Sequence, residues 1–298
     1  MMLDLNNSFL AAITATGMST PQSIIPDGQI HRFYNGKRGS KTGWYVFNGY
    51  AGAFGDWRTG AKHRFHPSDD RTIKFDLDKI SKRAAQLTAQ REKEIKAQHA
   101  KAKITAQEIW KNANEVSVHP YLINKAVQSF GLREHNTGEL ILPGYNVLDE
   151  LTTLQFISAT GNKLFLPKGQ VNGSYFTIGS VKNILCIAEG YATAATIHQC
   201  TGYPVAVAFN ASNLCKTTTI LRLKHTSTKI IICADDDFET EGNPGLTKAK
   251  EAAIENRSYL AIPNFCGTRT SKATDFNDMA LAHGSEAVKG VIDNAKQR

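Results

Sequence analysis

Residues 184–190 read ILCIAEG and residues 229–237 read KIIICADDD. Each is an apolar run of strand length that ends abruptly in carboxylates. Between them lie a helix-length segment (191–200), the apolar PVAVAF (204–209) and a second helical stretch near 214–224. A further helix near 245–256 leads to YLAIP (259–263). Strands without polar alternation are buried on both faces, and their alternation with helices predicts a parallel α/β sheet. In such sheets chemistry gathers at the carboxyl ends of the strands, where Glu189 and Asp235–Asp237 stand. In extended chain, residues i and i+2 point the same way, so Asp235 and Asp237 are expected to share a metal ion while Asp236 faces elsewhere. Gly190 is expected to turn the chain tightly, and the helix it opens to present free N–H groups to a phosphate. Asp275 and Asp278, in ATDFNDM (273–279), add carboxylates for a second ion.

Upstream of this unit the patterns change. Residues 138–179 alternate apolar and polar positions in strand-like runs (ELILP, TLQFIS, KLFLP, SYFTIG), with Gly161-Asn162 as a hairpin turn. Lys163 and Lys168 flank one of these runs and are candidates for binding a triphosphate, although surface lysines are the plainer reading. Residues 77–115 form a long stretch free of Gly and Pro, rich in Ala, Gln, Lys and Glu, and read as a basic helical linker. Residues 31–66 hold nine aromatic residues, seven Lys and Arg and one acid, Asp56, punctuated by glycines. That composition predicts a small sheet of hairpins. Aromatics between cations suit single-stranded nucleic acid, because bases stack on rings while cations follow the backbone. The candidate contacts are Arg32, Lys37, Arg38, Lys41, Trp44, Tyr45, Trp57 and Arg58. Trp44 and Tyr45 cannot face the same side of one strand, so at least one should be available to a base; most of the other aromatics are expected in the core. The chain is therefore divided as a β-rich basic and aromatic domain (1–76), a helical linker (77–115), an α+β segment (116–179) and the α/β unit (180–298).

Composition narrows the function further. The 298 residues are 41% hydrophobic and 21% charged, enough apolar content for true cores. The net charge of +8 is carried mostly by residues 1–179, with 22 Lys and Arg against 15 acids; residues 180–298 balance 13 against 12. A basic half beside clustered acids points to a metal-dependent enzyme of nucleic acid. No apolar run nears the ~18 residues of a membrane span. Met1 to Thr20 carries Asp4 and no Lys or Arg, unlike a secretory signal, so a cytoplasmic location is expected. The five cysteines (Cys186, Cys200, Cys215, Cys233, Cys266) form no CxxC, and His31, His63 and His66 have irregular spacing, so no structural zinc is expected. GSKT (39–42) lacks the order and upstream glycine of a phosphate-binding P-loop.

ILCIAEG, ICADDD and GNPG (242–245) resemble the motifs of the Toprim family. The longer run EGYATAATIHQCTGYPVAVAFNASNL (189–214), with HPYL (119–122) upstream and TDFNDM (274–279) downstream, looks most like the Toprim primases of plasmids and prophages, the TraC-like group related to DnaG-type primases. The resemblance covers residues 116–285 and, loosely, 31–60. It implies a Rossmann-like Toprim sheet in which Glu189, Asp235 and Asp237 match the metal-binding acids, Asp275 and Asp278 match later acids, and Lys163 and Lys168 fall where primases hold the incoming nucleotide. It implies Mg²⁺ or Mn²⁺ as cofactor, nucleoside triphosphates as substrates and single-stranded DNA as template. DnaG-type primases carry an N-terminal zinc module for which this chain lacks cysteines, and the aromatic unit at 31–66 is the candidate replacement.

The expected activity is thus primer synthesis by metal-dependent nucleotidyl transfer, with any helicase supplied in trans. Two alternatives remain, the first using the same acids and the second retaining only the fold, against which the intact acids argue. One is a Toprim nuclease; the other is a non-catalytic single-strand-binding accessory of replication.

Overall fold

A computed structural model of the chain describes residues 5–36, 41–67, 74–265, 267, 269–270 and 273–298, the side chains of 74–85 excepted. The chain divides into two compact units, Met1–Ile95 and Lys96–Arg298. Their boundary falls inside one long helix, whereas the sequence-based divisions follow changes of composition.

The first unit contains α1 (Leu5–Ala15) and the strands β1 (His31–Phe33), β2 (Gly43–Phe47), β3 (Gly52–Asp56) and β4 (Lys62–Phe65). The strands form an antiparallel meander in the order β1-β2-β3-β4. Strand alternation sends Phe33, Tyr45, Phe47 and Phe54 to one face, where Phe9 and Ile13 of α1 close the core. Phe9 stacks on Phe47 at 4.4 Å between centroids and meets Phe54 and Phe65 edge-on. A sheet this small is stabilised by a few large rings, each burying a large apolar area. The long helix α2 (Lys74–Asn112) begins in this unit.

In the second unit the end of α2 is followed by β5 (Asn114–Glu115), α3 (Pro120–Lys125), β6 (Arg133–Glu134), β7 (Leu140–Tyr145), β8 (Leu151–Ile157) and β9 (Lys163–Phe165). These strands make a five-stranded antiparallel sheet in sequence order. Ile141, Leu154 and Leu166 pack with Ala102 and Ala106 of α2, while Leu140, Leu142 and Ile157 face the other way into a larger core. HPYL reads out as a helix start: His119 Nδ1 accepts from the Tyr121 N–H, its Nε2 lies 3.0 Å from the Gly138 carbonyl, and Pro120 opens α3.

The chain continues with β10 (Phe176–Ile178), β11 (Ile184–Ala188), α4 (Tyr191–Thr201), β12 (Val205–Val207), α5 (Ala211–Lys224), β13 (Lys229–Cys233), α6 (Pro244–Glu255), β14 (Tyr259–Ala261), α7 (Phe276–His283), α8 (Ser285–Asp293) and β15 (Lys296–Gln297). The sheet order is β10-β12-β11-β13-β14-β15. β12, β11, β13 and β14 are parallel to one another, and the edge strands β10 and β15 are antiparallel. The expected parallel sheet is present. The central strands β11 and β13 carry apolar runs because both faces are covered: Cys186, Ala188, Ile231 and Cys233 pack with α4, α7 and α8, while Leu185, Ile187, Ile230 and Ile232 pack with α5 and α6. Cys186, Cys200, Cys215 and Cys233 carry no disulfide; Cys266 lies outside the described residues. No helix among the described residues is long and apolar enough to cross a membrane.

Candidate active site

The parallel strands deliver the acids to one end of the sheet. Glu189 follows β11 directly, and α4 starts after Gly190. Gly190 has φ −105°, an ordinary value, so the expected need for a special turn is not what the position shows. A Cβ there would lie 3.3 Å from Lys163 Nζ, so the glycine leaves room for the lysine ammonium. Burial pushes the Glu189 carboxyl up, the Asp237 charge adds to that, and Lys163 with the Ala211 N–H at the start of α5 opposes it. Phe209, just before that helix, holds φ +71°, a strained value for a bulky residue.

Beyond β13 the three aspartates separate as the extended chain requires. The Asp236 side chain turns away from the other two: its Oδ2 meets Arg269 Nη1 at 2.6 Å, and its Oδ1 accepts from Asn243 Nδ2 at 2.6 Å. Burial raises the Asp236 carboxyl, but the hydrogen bonds from Asn243 and Arg269 outweigh it and hold the group below the usual carboxylate range. Arg269 also donates through Nη2 to the Asp236 carbonyl and through Nε to the Ala273 carbonyl, and its guanidinium lies 3.8 Å from the Phe238 ring centre. Asp237 Oδ2 accepts from the Gly245 N–H at 3.2 Å, at the start of α6. A Cβ at Gly245 would come within 2.7 Å of the Asp235 carbonyl and 2.9 Å of Asp237 Oδ2, so GNPG is the segment that lets α6 approach the aspartates.

Asp235 is the most constrained of the acids. Its Oδ1 is shut off from solvent and has no hydrogen-bond partner. Burial first, then the charges of Asp275, Glu189 and Asp237, push its carboxyl well above the usual range, with Lys163 opposing. Asp275 caps α7: Oδ1 accepts from the Asp278 N–H at 2.8 Å, and Oδ2 from Thr193 Oγ1 of α4 at 3.1 Å. Burial and the Asp278 charge raise its carboxyl too. Asp278 turns back onto its own helix start, with Oδ2 accepting from the Thr274 N–H at 2.9 Å. The Tyr121 hydroxyl is buried without a partner, its pKa pushed up to about 12 by burial and by Asp275.

Three carboxylates raised by burial and by neighbouring acids, one of them with an unpartnered buried oxygen, stand with Asp237 and suit a divalent cation, since hard oxygen donors and concentrated negative charge are what such an ion selects. Among the described residues, no three His, Cys, Asp or Glu side chains stand together in a way that could hold a metal ion as they lie. A wide cleft of about 600 Å³ lies elsewhere in this unit, beside Arg222, Lys229 and Arg257, where β13 and β14 begin, and contains none of these acids.

Of the two lysines, Lys163 at the start of β9 reaches the acids, as its place beside Gly190 shows. Lys168 is exposed in the following turn at φ +62° and makes no hydrogen bond or ion pair with them among the described residues. Sequence reasoning missed Arg269, because it sits in an irregular segment with no periodicity to flag it.

In the first unit, Arg32, Lys41, Trp57 and Arg58 are exposed and Trp44 is partly exposed. Tyr45 corrects an expectation: it is 3% exposed, its hydroxyl donates to the Ser23 carbonyl at 3.2 Å and accepts from the Ile25 N–H at 3.1 Å, and it belongs to the core. The burial alternation of β2 puts Trp44 on the opposite face. Lys37 and Arg38 lie outside the described residues.

Residues 184–286 match the model of the Toprim domain. The C-terminal part of the chain is a Toprim domain. Two curated relatives from Escherichia coli, both named DNA primase TraC, are similar over most of this chain. One is 31% identical over 282 residues, covering 87% of this chain and 26% of the relative. The other is 29% identical over 289 residues, covering 90% and 20%. The chain thus spans about a quarter or less of the length of these relatives. Among solved structures, the DnaG catalytic core aligns with 68% of this chain and 80% of its own at 12% identity and a TM-score of 0.44, a likeness too loose to place any residue. The acids described above, Glu189 to Asp278, all fall within the Toprim match.

Proposed function

We propose that this chain is a DNA primase, a DNA-directed RNA polymerase that makes short primers on single-stranded DNA by divalent-metal-dependent nucleotidyl transfer. The observation that carries the reading is the buried, unpartnered Asp235 carboxylate among Glu189, Asp237 and Asp275, with Lys163 beside them, inside a Toprim domain. The names of the TraC relatives support it.

In this reading Glu189, Asp235, Asp237 and Asp275 hold Mg²⁺ or Mn²⁺. When bound, the metal lowers the pKa of the attacking hydroxyl and stabilises charge on the phosphoryl and pyrophosphate oxygens. The protein's own groups do the rest. Lys163 neutralises the triphosphate at the mouth of the acid group. The N–H groups at the start of α4 favour a phosphate oxygen there. Arg269 holds Asp236 aside, so that Asp235 and Asp237 keep their direction. Asp278, in the first turn of α7, is more simply tied up by the Thr274 N–H. Template and nucleoside triphosphates are the partners, and the site of action is the cytoplasm.

The test is incorporation of labelled nucleoside triphosphates on mixed-sequence single-stranded DNA with Mg²⁺ or Mn²⁺. Short products that vanish with Asp235→Asn are expected. Shortened template without incorporation would replace the primase by a Toprim nuclease, and DNA binding without any product would leave a replication accessory.

A further inference from the structure

The outer face of the four-stranded sheet carries a pattern that no single strand displays. The register pairs Arg32 with Trp44, Trp44 with Gly55, and Gly55 with Lys62, so one row crosses β1, β2, β3 and β4. The row has a cation at each end, an indole beside one cation, and a glycine between the indole and the other. A Cβ at Gly55 would come within 3.0 Å of Trp44 Cζ2 and Nε1, so the indole lies across the bare backbone of β3. Trp57 extends the aromatic surface, its ring 5.4 Å from that of Trp44 and 54% exposed. Arg64 stands in the neighbouring row on the same face, opposite Ala53. The Arg32 guanidinium is fixed by donation from Nε to the Lys41 carbonyl at 3.0 Å.

The charge on this face has one sign. Asp56, the acid of residues 31–66, is 2% exposed and turned inward, where it accepts from Asn35, Thr42 and the Arg58 N–H. No carboxylate stands on the outer face among the described residues of the four strands. An indole pair, Trp57 exposed and Trp44 partly so, bracketed by cations matches a strand whose bases are unpaired and free to stack, while its phosphates meet the flanking charges. A duplex keeps its bases inside and would leave the indoles without a partner.

We propose that this face, centred on Trp44 and Trp57 with Arg32, Lys62 and Arg64 around them, is a stacking platform for single-stranded DNA. The choice of DNA rests on the primase reading; the platform itself needs neither metal nor nucleotide.

The experiment measures binding of a fluorescent oligothymidylate to the full chain by anisotropy, with metal chelated and no nucleotide present, across a salt series. Trp57→Ala is expected to weaken binding about tenfold with the salt slope unchanged, the loss of one stacked base. Lys62→Gln with Arg64→Gln, both exposed and harmless to the core, should reduce the slope of log affinity against log salt by about 1.4, two phosphate contacts on a single strand. Unchanged affinity and slope in both variants overturns the platform, as does equal affinity for a duplex. The two readings fail separately. A chain that makes no primers can still show the tryptophan and salt effects, and a primase that grips its template elsewhere makes primers while these variants bind as the parent does.

Discussion

In the Toprim domain the acids stand at the ends of β11 and β13, so a few consecutive residues deliver each of them. In the N-terminal sheet, Arg32, Trp44, Gly55 and Lys62 come from four different strands and meet only through register. The first region concentrates negative charge in a half-buried crevice, where Asp235 has an oxygen with no partner. The second spreads positive charge over an open face. Concentrated, desolvated charge is a costly arrangement that asks for a compensating ion, whereas dispersed exposed charge costs little and attracts a long polyanion loosely. Metal dependence should therefore belong to one region and salt dependence to the other.

The sharpest break of that contrast is Asp235→Asn. Synthesis should fall at least about 100-fold if the proposed metal site is right, because it loses its most buried acid. DNA binding in chelator should not change. The same substitution should raise the melting temperature of the metal-free protein, since it removes a buried charge repelled by three neighbours. An unaltered melting temperature together with retained synthesis would remove Asp235 from the site.

Stability against pH sharpens the same point. Asp235, Glu189 and Asp275 all have folded-state values raised above those of an unfolded chain. The folded protein then holds protons that the unfolded chain releases. In chelator the share of stability these three acids contribute should be full below a pH of about 4, the ordinary carboxyl value, and decline as pH rises through the folded values. Mg²⁺ should abolish or reverse the decline, and Asp235→Asn should flatten it. Denaturant unfolding at several pH values, with and without Mg²⁺, reads all three. A parent curve parallel to that of Asp235→Asn in chelator would mean the acids do not repel one another in the folded chain.

Arg269 tests whether geometry or charge alone makes the crevice. It holds the Asp236 carboxylate, the Asp236 carbonyl and the Ala273 carbonyl through three different nitrogens. Arg269→Gln should weaken Mn²⁺ binding, followed by electron paramagnetic resonance, about tenfold, as outer supports of metal ligands do. Arg269→Lys should not restore it, because an ammonium cannot span those acceptors. Full recovery with lysine would reduce the residue to a source of charge.

The same contrast explains what the sequence made legible. Glu189, Asp235 and Asp237 could be read because strand ends and the two-residue alternation are local properties, and the sheet, its parallel strands and the outward turn of Asp236 followed from them. Lys163 was a candidate only by its neighbourhood; that it meets Gly190, and Lys168 does not, depends on how β9 lies against β11. Arg269 was invisible because an irregular segment brings it back over a residue 33 positions away. Gly190 was recognised as special for the wrong reason, a side-chain approach from another strand in place of a backbone turn. In the N-terminal sheet the composition could not say which ring of the Trp44-Tyr45 pair faced outward, since either phase of the alternation fits the same residues.

Tyr45 supplies the smallest test. Tyr45→Phe keeps the ring in the core and removes only the hydroxyl that links the Ser23 carbonyl and the Ile25 N–H, which should cost about 1 kcal/mol in unfolding of the first unit. Affinity for oligothymidylate should stay as it was, while Trp57→Ala on the opposite face lowers it without a comparable loss of stability. If the two variants exchanged these effects, the face of the sheet assigned to DNA would be the wrong one.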